Sequence, residues 1–229
     1  SVRLGYLPKL MPWVLRFLAA GRSERLDPVA DGLFRLSRGS VAAYKKRLAG
    51  TGQEQLVRDC MYVHVYRNSN AASLEHLGWQ LRQARQVPIE LIDKQALKEI
   101  EPHIADDFEA AILIKHQGRA SDPAGIGIAL AEKALAKGAN HIQTKVHEIH
   151  PDQGSGCQLV TDKGVFSAKK IVLAAGVWSC QLLARFGIKL PLEAERGYHL
   201  VLRNPGITIN HSVMDADQKY VASLMQAGV

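Results

Sequence analysis

Lys169-Lys170-Ile171-Val172-Leu173-Ala174-Ala175-Gly176-Val177-Trp178-Ser179 is the stretch whose reading decides the fold. A run of Ile, Val and Leu between a basic flank and a small-residue turn reads as a buried strand delivered to a tight bend, where something approaches the backbone closely. Ala174, Ala175 and Gly176 leave little bulk at the carboxyl end of a parallel strand, the edge where open α/β sheets bind ligands. Ser179 is expected to cap a helix running to Phe186, which Gly187 ends. On spacing alone, a strand-turn-helix with small residues for packing is the commoner reading, because such punctuation is frequent.

Upstream of this stretch, His141 to Ile149, Gly156 to Asp162 and Val165 to Leu173 read as strands, with turns at Asp152 to Gly156 and Asp162-Lys163-Gly164. Asp122-Pro123 supplies a cap and first-turn proline for a helix through Ile126, Leu130 and Ala134 to Gly138. The middle of the chain has a different texture. Met61 to Tyr66 alternates like a half-exposed strand. A helix near Ala71 to Arg85, a strand near Val87 to Ile92, a short helix opened by Asp93 and stopped by Pro102, and a strand over Phe108 to Lys115 follow. At the N-terminal side, Pro8 to Ala20 predicts a helix broken or started at Pro12. Asp27-Pro28 predicts the start of a second helix through Leu33, Leu36, Tyr44 and Leu48, ended by Gly50 and Gly52. The pattern predicts a mixed α/β (α+β) protein in which an inserted sheet-bearing domain interrupts a nucleotide-binding one.

With 229 residues, 47% hydrophobic and 22% charged, the chain has room for one large or two small globular domains, so disorder is not expected. No apolar run approaches the roughly 18 to 20 residues of a membrane-spanning helix, and no secretory pattern opens the chain; a cytoplasmic protein is expected. Three cysteines without a CxxC pair argue against a disulfide framework. The net charge of +7 is spread along helical patterns without interleaved aromatics, so no nucleic-acid partner is expected. His147 and His150 are separated by an odd number of positions on one strand and point to opposite faces, so no metal site is expected.

The string Val-Leu-Ala-Ala-Gly-Val-Trp-Ser, followed by Gly187-Ile188-Lys189-Leu190-Pro191-Leu192 and Glu195-Arg196-Gly197-Tyr198-His199, resembles the central signature of the FAD-dependent D-amino acid oxidase superfamily. Within it, the group around bacterial D-amino acid dehydrogenase is the most similar. Leu7-Pro8-Lys9-Leu10-Met11-Pro12-Trp13, Glu101-Pro102, Ser121-Asp122-Pro123 and Gly138-Ala139 stand in the order that resemblance implies, so it covers nearly the whole chain.

The resemblance implies FAD as cofactor, with the Val146 backbone beside the adenine and Ala174, Ala175, Gly176 and Trp178 lining the cofactor. It implies oxidation of an amino-acid C–N bond, leaving an imino acid that hydrolyses to a 2-oxo acid. Tyr198, His199, His211 and Met214 are the candidate catalytic residues on strands entering the substrate domain; His116 is a weaker pocket candidate. The implied division assigns 1–58 and 121–190 to the FAD-binding domain, and 59–120 and 191–229 to the substrate domain.

The family's GxGxxG phosphate loop has no counterpart here: Gly50-Thr51-Gly52 lacks a third glycine, and Gly125-Ile126-Gly127 lies inside a predicted helix. A central fragment is therefore expected, binding FAD poorly by itself. A glycine, sarcosine or proline-type oxidase and a non-catalytic scaffold stay open, as does a peripheral contact with the inner membrane or an electron acceptor.

Overall fold

A computed structural model describes residues 7–151, 156–192 and 194–229, so the turn expected at Asp152 to Gly156 lies largely outside the described residues, as does Glu193. The chain divides into two compact units: one holds everything up to Ala134 together with Val201–Val229, the other is Leu135–Leu200.

The first unit opens with α1 (Leu7–Ala20), α2 (Ser23–Ser37) and α3 (Ser40–Leu48). α1 runs through Pro12 without breaking. The single helix expected from Asp27 to Leu48 starts earlier and is interrupted. Asp27 does not cap it, because its carboxylate and its carbonyl both accept from Arg85 Nη2, at 3.0 and 2.8 Å. Pro28 sits inside α2, and Gly39, in the left-handed region at φ +76°, turns the chain into α3.

β1 (Val57–Tyr66) follows, then α4 (Leu77–Gln83), β2 (Ile89–Asp93), α5 (Lys94–Ile100), β3 (Ala110–Ala120) and α6 (Pro123–Ala136). α4 is half the length expected of Ala71 to Arg85; a 3-10 turn over Ser69–Ala71 ends where that helix was expected to begin. Asp93 caps α5, its side chain accepting from the Ala96 amide at 2.9 Å, as its position predicts. α6 begins after Asp122, and Gly138 at φ +92° follows its end. β7 (Ser212–Asp215) and β8 (Val221–Ala222) return from the far end of the chain, giving a five-stranded sheet in the order β2-β3-β1-β7-β8. β1 pairs antiparallel with β3 and parallel with β7, Tyr62 opposite Ser212 and Val65 opposite Asp215.

Alternation along β1 builds two cores. Val63 and Val65 point to one side, with Leu113 of β3, Val213 of β7 and Leu97 of α5. Tyr66 points to the other, with Ile112, Ile114 and Trp79 of α4. A third cluster joins Leu48, Leu56 and Val57 to Ile126 and Ala129 of α6, three apart on one helix face.

The β1–β3 ladder slips between Cys60 and Tyr62, opposite Lys115 and His116, and His116 absorbs the irregularity at φ +56°. Two residues on, Gly118 lies against α3: a Cβ there would meet Val41 Cγ2 at 2.8 Å and Cγ1 at 3.0 Å. A β-branched valine is stiff and cannot swing aside. Gly118→Ala is expected to cost about 1–3 kcal/mol by overpacking, read from urea unfolding; Val41→Ala in the same chain should recover most of the loss.

In the second unit β4 (Val146–Pro151), β5 (Cys157–Thr161) and β6 (Gly164–Ala168) form an antiparallel meander, with Asp162 and Lys163 as the two-residue turn between β5 and β6. β6 ends at Ala168, short of the expected Leu173. Residues 169–175 form no strand and pair with none among the described residues. A 3-10 turn over Gly176–Trp178 then leads into α7 (Ser179–Ala184). Ser179 is therefore the first helical residue, with φ −57° and ψ −31°, and not the cap. Gly187, at φ +69°, follows the helix as its composition predicts. The three cysteines are free thiols.

Candidate active site

In the second unit, small residues expose backbone where a ligand can reach it. Ala174 and Gly176 are exposed, and a Cβ on Gly176 would meet nothing within 4 Å, so the left-handed φ of +56°, not crowding, calls for glycine there. The 3-10 turn tightens at this point, the Trp178 amide donating to the Ala175 carbonyl at 3.2 Å. Beside it runs β4, and a cleft of about 970 Å³ opens between β4, residues 171–176 and α7. That volume is at the upper end of small-molecule sites, about 300–1,000 Å³.

Val146, Ala174, Ala175, Gly176 and Trp178 all line this one cleft. Their positions along the chain differ by up to 32 residues, and the fold brings them together. Val172 and Trp178 are 91% and 69% exposed, so the apolar surface at the bend is open. Lys145, Gln181 and Leu182 also line the cleft and were not anticipated. The helical spacing of Gln181 and Leu182 from Trp178, three and four positions on, was the available signal.

The histidines of β4 are occupied by carboxylates. His147 Nε2 lies 2.5 Å from Asp162 Oδ1, and this contact is the main cause holding the Asp162 carboxyl below the usual range. His150 Nε2 is 2.8 Å from Glu148 Oε2, and Arg185 pairs with the other oxygen; His150 first and Arg185 second pull the Glu148 carboxyl down. Among the described residues no group of three His, Cys, Asp or Glu side chains could hold a metal ion.

The four catalytic candidates are divided between the two units. Tyr198 and His199 fall in the second unit, in an irregular segment and not on a strand, with Tyr198 89% exposed. His211 and Met214 belong to the first unit, Met214 on β7 and His211 just before it. His211 Nδ1 accepts from the Met61 amide at 3.1 Å, which leaves Nε2 to carry the proton of the neutral ring. Burial, reinforced by Arg119, lowers its pKa, against the opposing pull of Glu101. Met214 Sδ lies 3.6 Å from the Tyr62 hydroxyl.

Glu101, which stands in the sequence only as part of the family resemblance, has a structural role of its own. It is fully buried, and its oxygens accept from two consecutive amides, Asn210 N at 3.0 Å and His211 N at 2.6 Å. Its carboxylate thus fixes the chain just ahead of β7. An acid at the end of a short helix, directly before Pro102, was the signal.

The residues present fit part of a dinucleotide. The cleft offers exposed backbone and an apolar wall; in sequence just before its lining residue Lys145, the Thr144 hydroxyl is buried with no partner among the described residues. A phosphate loop is not among them: Gly50 and Gly52 are turn residues at φ +76° and +72°, and Gly125 and Gly127 lie inside α6.

The profile of the DAO family, described as FAD dependent oxidoreductase, matches residues 9–228, and the chain belongs to that family. It is 30% identical over 230 residues to a D-amino-acid oxidase of Bradyrhizobium diazoefficiens, covering 100% of this chain and 54% of that protein. It is 24% identical to a D-amino acid dehydrogenase of Rhizobium rhizogenes, covering 92% and 52%. The crystal structure of glycine oxidase from Geobacillus kaustophilus superposes with a TM-score of 0.62 at 24% identity, over 78% of this chain and 48% of that one. The chain thus spans about half the length of the curated relatives it matches. No helix among the described residues is long and apolar enough to cross a membrane.

Proposed function

We propose that this chain is part of an FAD-dependent enzyme oxidising the C–N bond of an amino acid, with a D-amino acid as the substrate class. The observation carrying this reading is the convergence of Val146, Ala174, Ala175, Gly176 and Trp178 on one cleft in a chain of the DAO family. Bound FAD would supply a hydride acceptor for oxidation of the amino-acid C–N bond; the Cα hydride and an amine proton would leave, and water would convert the resulting imine to a 2-oxo acid and ammonia.

The chain's own residues hold and shield. Backbone at Ala174–Gly176 would admit close approach, the Val146 backbone would lie beside the adenine, and Trp178 would cover an apolar face of the cofactor. Tyr198, His199, His211 and Met214 face the substrate in this reading. His211, neutral with its proton on Nε2, is suited to donating a hydrogen bond and not to holding a carboxylate by charge. The relatives' names supply the D-amino acid.

The test is direct. Titrating the 229-residue chain with FAD should quench tryptophan fluorescence weakly and saturably, and Gly176→Val, which puts a branched side chain at a left-handed position, should abolish the quenching. The product of the complete gene, loaded with FAD, is then offered D-alanine, glycine, sarcosine and L-proline while 2-oxo acid and peroxide are followed. Turnover confined to D-amino acids supports the reading; turnover of glycine or sarcosine alone redirects it, and a flavin-free product without turnover sinks it. Peroxide separates an oxidase from a dehydrogenase that hands its electrons to a separate acceptor, the setting in which a membrane or acceptor contact belongs.

A further inference from the structure

The first unit carries a second concavity. α2, α3, α4 and the segment before β2 border β3 and leave a groove of about 890 Å³, within the range of small-molecule sites. Its walls are apolar: Leu33 and Phe34 come from α2, Val41 from α3, Leu81 from α4 and Ile114 from β3. Leu33 is 63% exposed, so this wall is open to an occupant.

The charge around those walls is one-sided. Arg38, Lys45, Arg82, Arg85 and Lys115 line the groove, against the single acid Asp59. Asp59 is already held by Lys45 at 2.5 Å, and Lys115 by Glu90 at 2.5 Å. Arg38 and Arg82 have no acidic partner among the described residues. Arg82 lies over the Trp79 ring at 5.0 Å and spends one donor on the Gly78 carbonyl at 2.8 Å, leaving others for a ligand. Arg85 is nearly buried and clamped by Asp27 and Asp31, yet its Nε–H is buried without an acceptor. An unmet buried donor is costly, and an acceptor arriving there would recover that cost. His116, held at φ +56° in the bulge, lines the same groove.

Apolar walls exclude a small hydrophilic anion, and unpaired guanidinium groups disfavour a cation or a neutral hydrocarbon. We propose that this groove is a binding site for a medium-chain monocarboxylate, with its alkyl body along α2 and α3 and its carboxylate met by Arg38 and Arg82. The site does not rest on the flavoenzyme reading: it belongs to the unit that holds the five-stranded sheet, and FAD binding can fail or succeed without changing it.

Calorimetric titration of the full chain with decanoate, below its micellar concentration, tests the site. Saturable binding near one to one is expected, with decan-1-ol and decyltrimethylammonium at least about tenfold weaker. The double variant Arg38→Gln, Arg82→Gln should weaken decanoate about tenfold at an unchanged melting temperature. Ala30→Trp, which fills the groove from the exposed side of α2, should abolish binding with FAD quenching intact. Equal affinity for decan-1-ol, unaltered decanoate binding in the double variant, or no saturable binding at all would each overturn the proposal.

Discussion

Replacing His64 by phenylalanine is expected to remove most of the acid sensitivity of the first unit between pH 7 and pH 4. The His64 ring is packed edge-on between two aromatics, 5.0 Å from Tyr62 at 68° and 4.9 Å from Trp79 at 85°, a setting into which a phenyl ring fits. Burial first, then the charges of Arg82 and Lys219, push its pKa down to about 4. Because the folded value lies below the unfolded one of 6.5, the unfolded chain takes the proton first as pH falls. The stability due to neutral His64 is complete above pH 6.5, drains away below it, and levels off near pH 4. The full shift is worth at most about 3 kcal/mol, and the solvent that the half-buried ring still reaches brings the expected loss nearer 2 kcal/mol. Urea unfolding at pH 7 and pH 4 should show that loss in the parent and not in His64→Phe. Titrations elsewhere act on both proteins, so parallel losses would refute the assignment.

Glu101→Ala should be the most damaging single change outside the apolar core. Truncation leaves the partly buried amides of Asn210 and His211 without their acceptor, and an unsatisfied donor costs up to about 1–3 kcal/mol as it is buried. A loss of about 2–5 kcal/mol is expected, which for a domain of this size lowers the melting midpoint by roughly 5–15 °C. Glu101→Gln keeps one good acceptor and should lose about half as much. The consequence goes beyond stability. With the turn before β7 released, the His211 ring loses its hold on the Met61 amide, so protection of that amide against hydrogen exchange should fall with the Glu101 variants. Full protection of Met61 in Glu101→Ala would show that the ring is positioned by something else.

Features set by neighbouring residues were legible in the sequence. Asp93 caps α5, Asp122-Pro123 precedes and opens α6, and Asp162-Lys163 turns between β5 and β6, because each needs only a side chain and the backbone beside it. The alternation of Met61 to Tyr66 gave β1, since the two-residue period survives whichever elements pack on it. What failed depended on distant partners. Arg85, 58 residues away, draws on Asp27 and takes it from its capping role. Ile171-Val172-Leu173 has the composition of a buried strand, but a strand is completed by its neighbour; with none among the described residues, Val172 stands 91% exposed. The cofactor candidates converged because they follow one local signature plus one residue of the adjacent strand. Tyr198, His199, His211 and Met214 were linked only by resemblance, and they fall in two units.

The parallel pairing of β1 with β7 sets the order in which the molecule can be made. Tyr62 and Ser212 are neighbours in the sheet, yet 150 residues separate them, and α6 and the whole second unit lie between. During synthesis the central strand β1 must wait for its second partner until β7 emerges, 150 residues later, exposing an edge with alternating aromatic and β-branched side chains. A ribosome-bound chain stopped near residue 200 would hold a finished meander beside an unfinished sheet. Folding of the first unit is therefore bound to be late and dominated by long-range closure, while the unit inserted into it can fold first on local contacts.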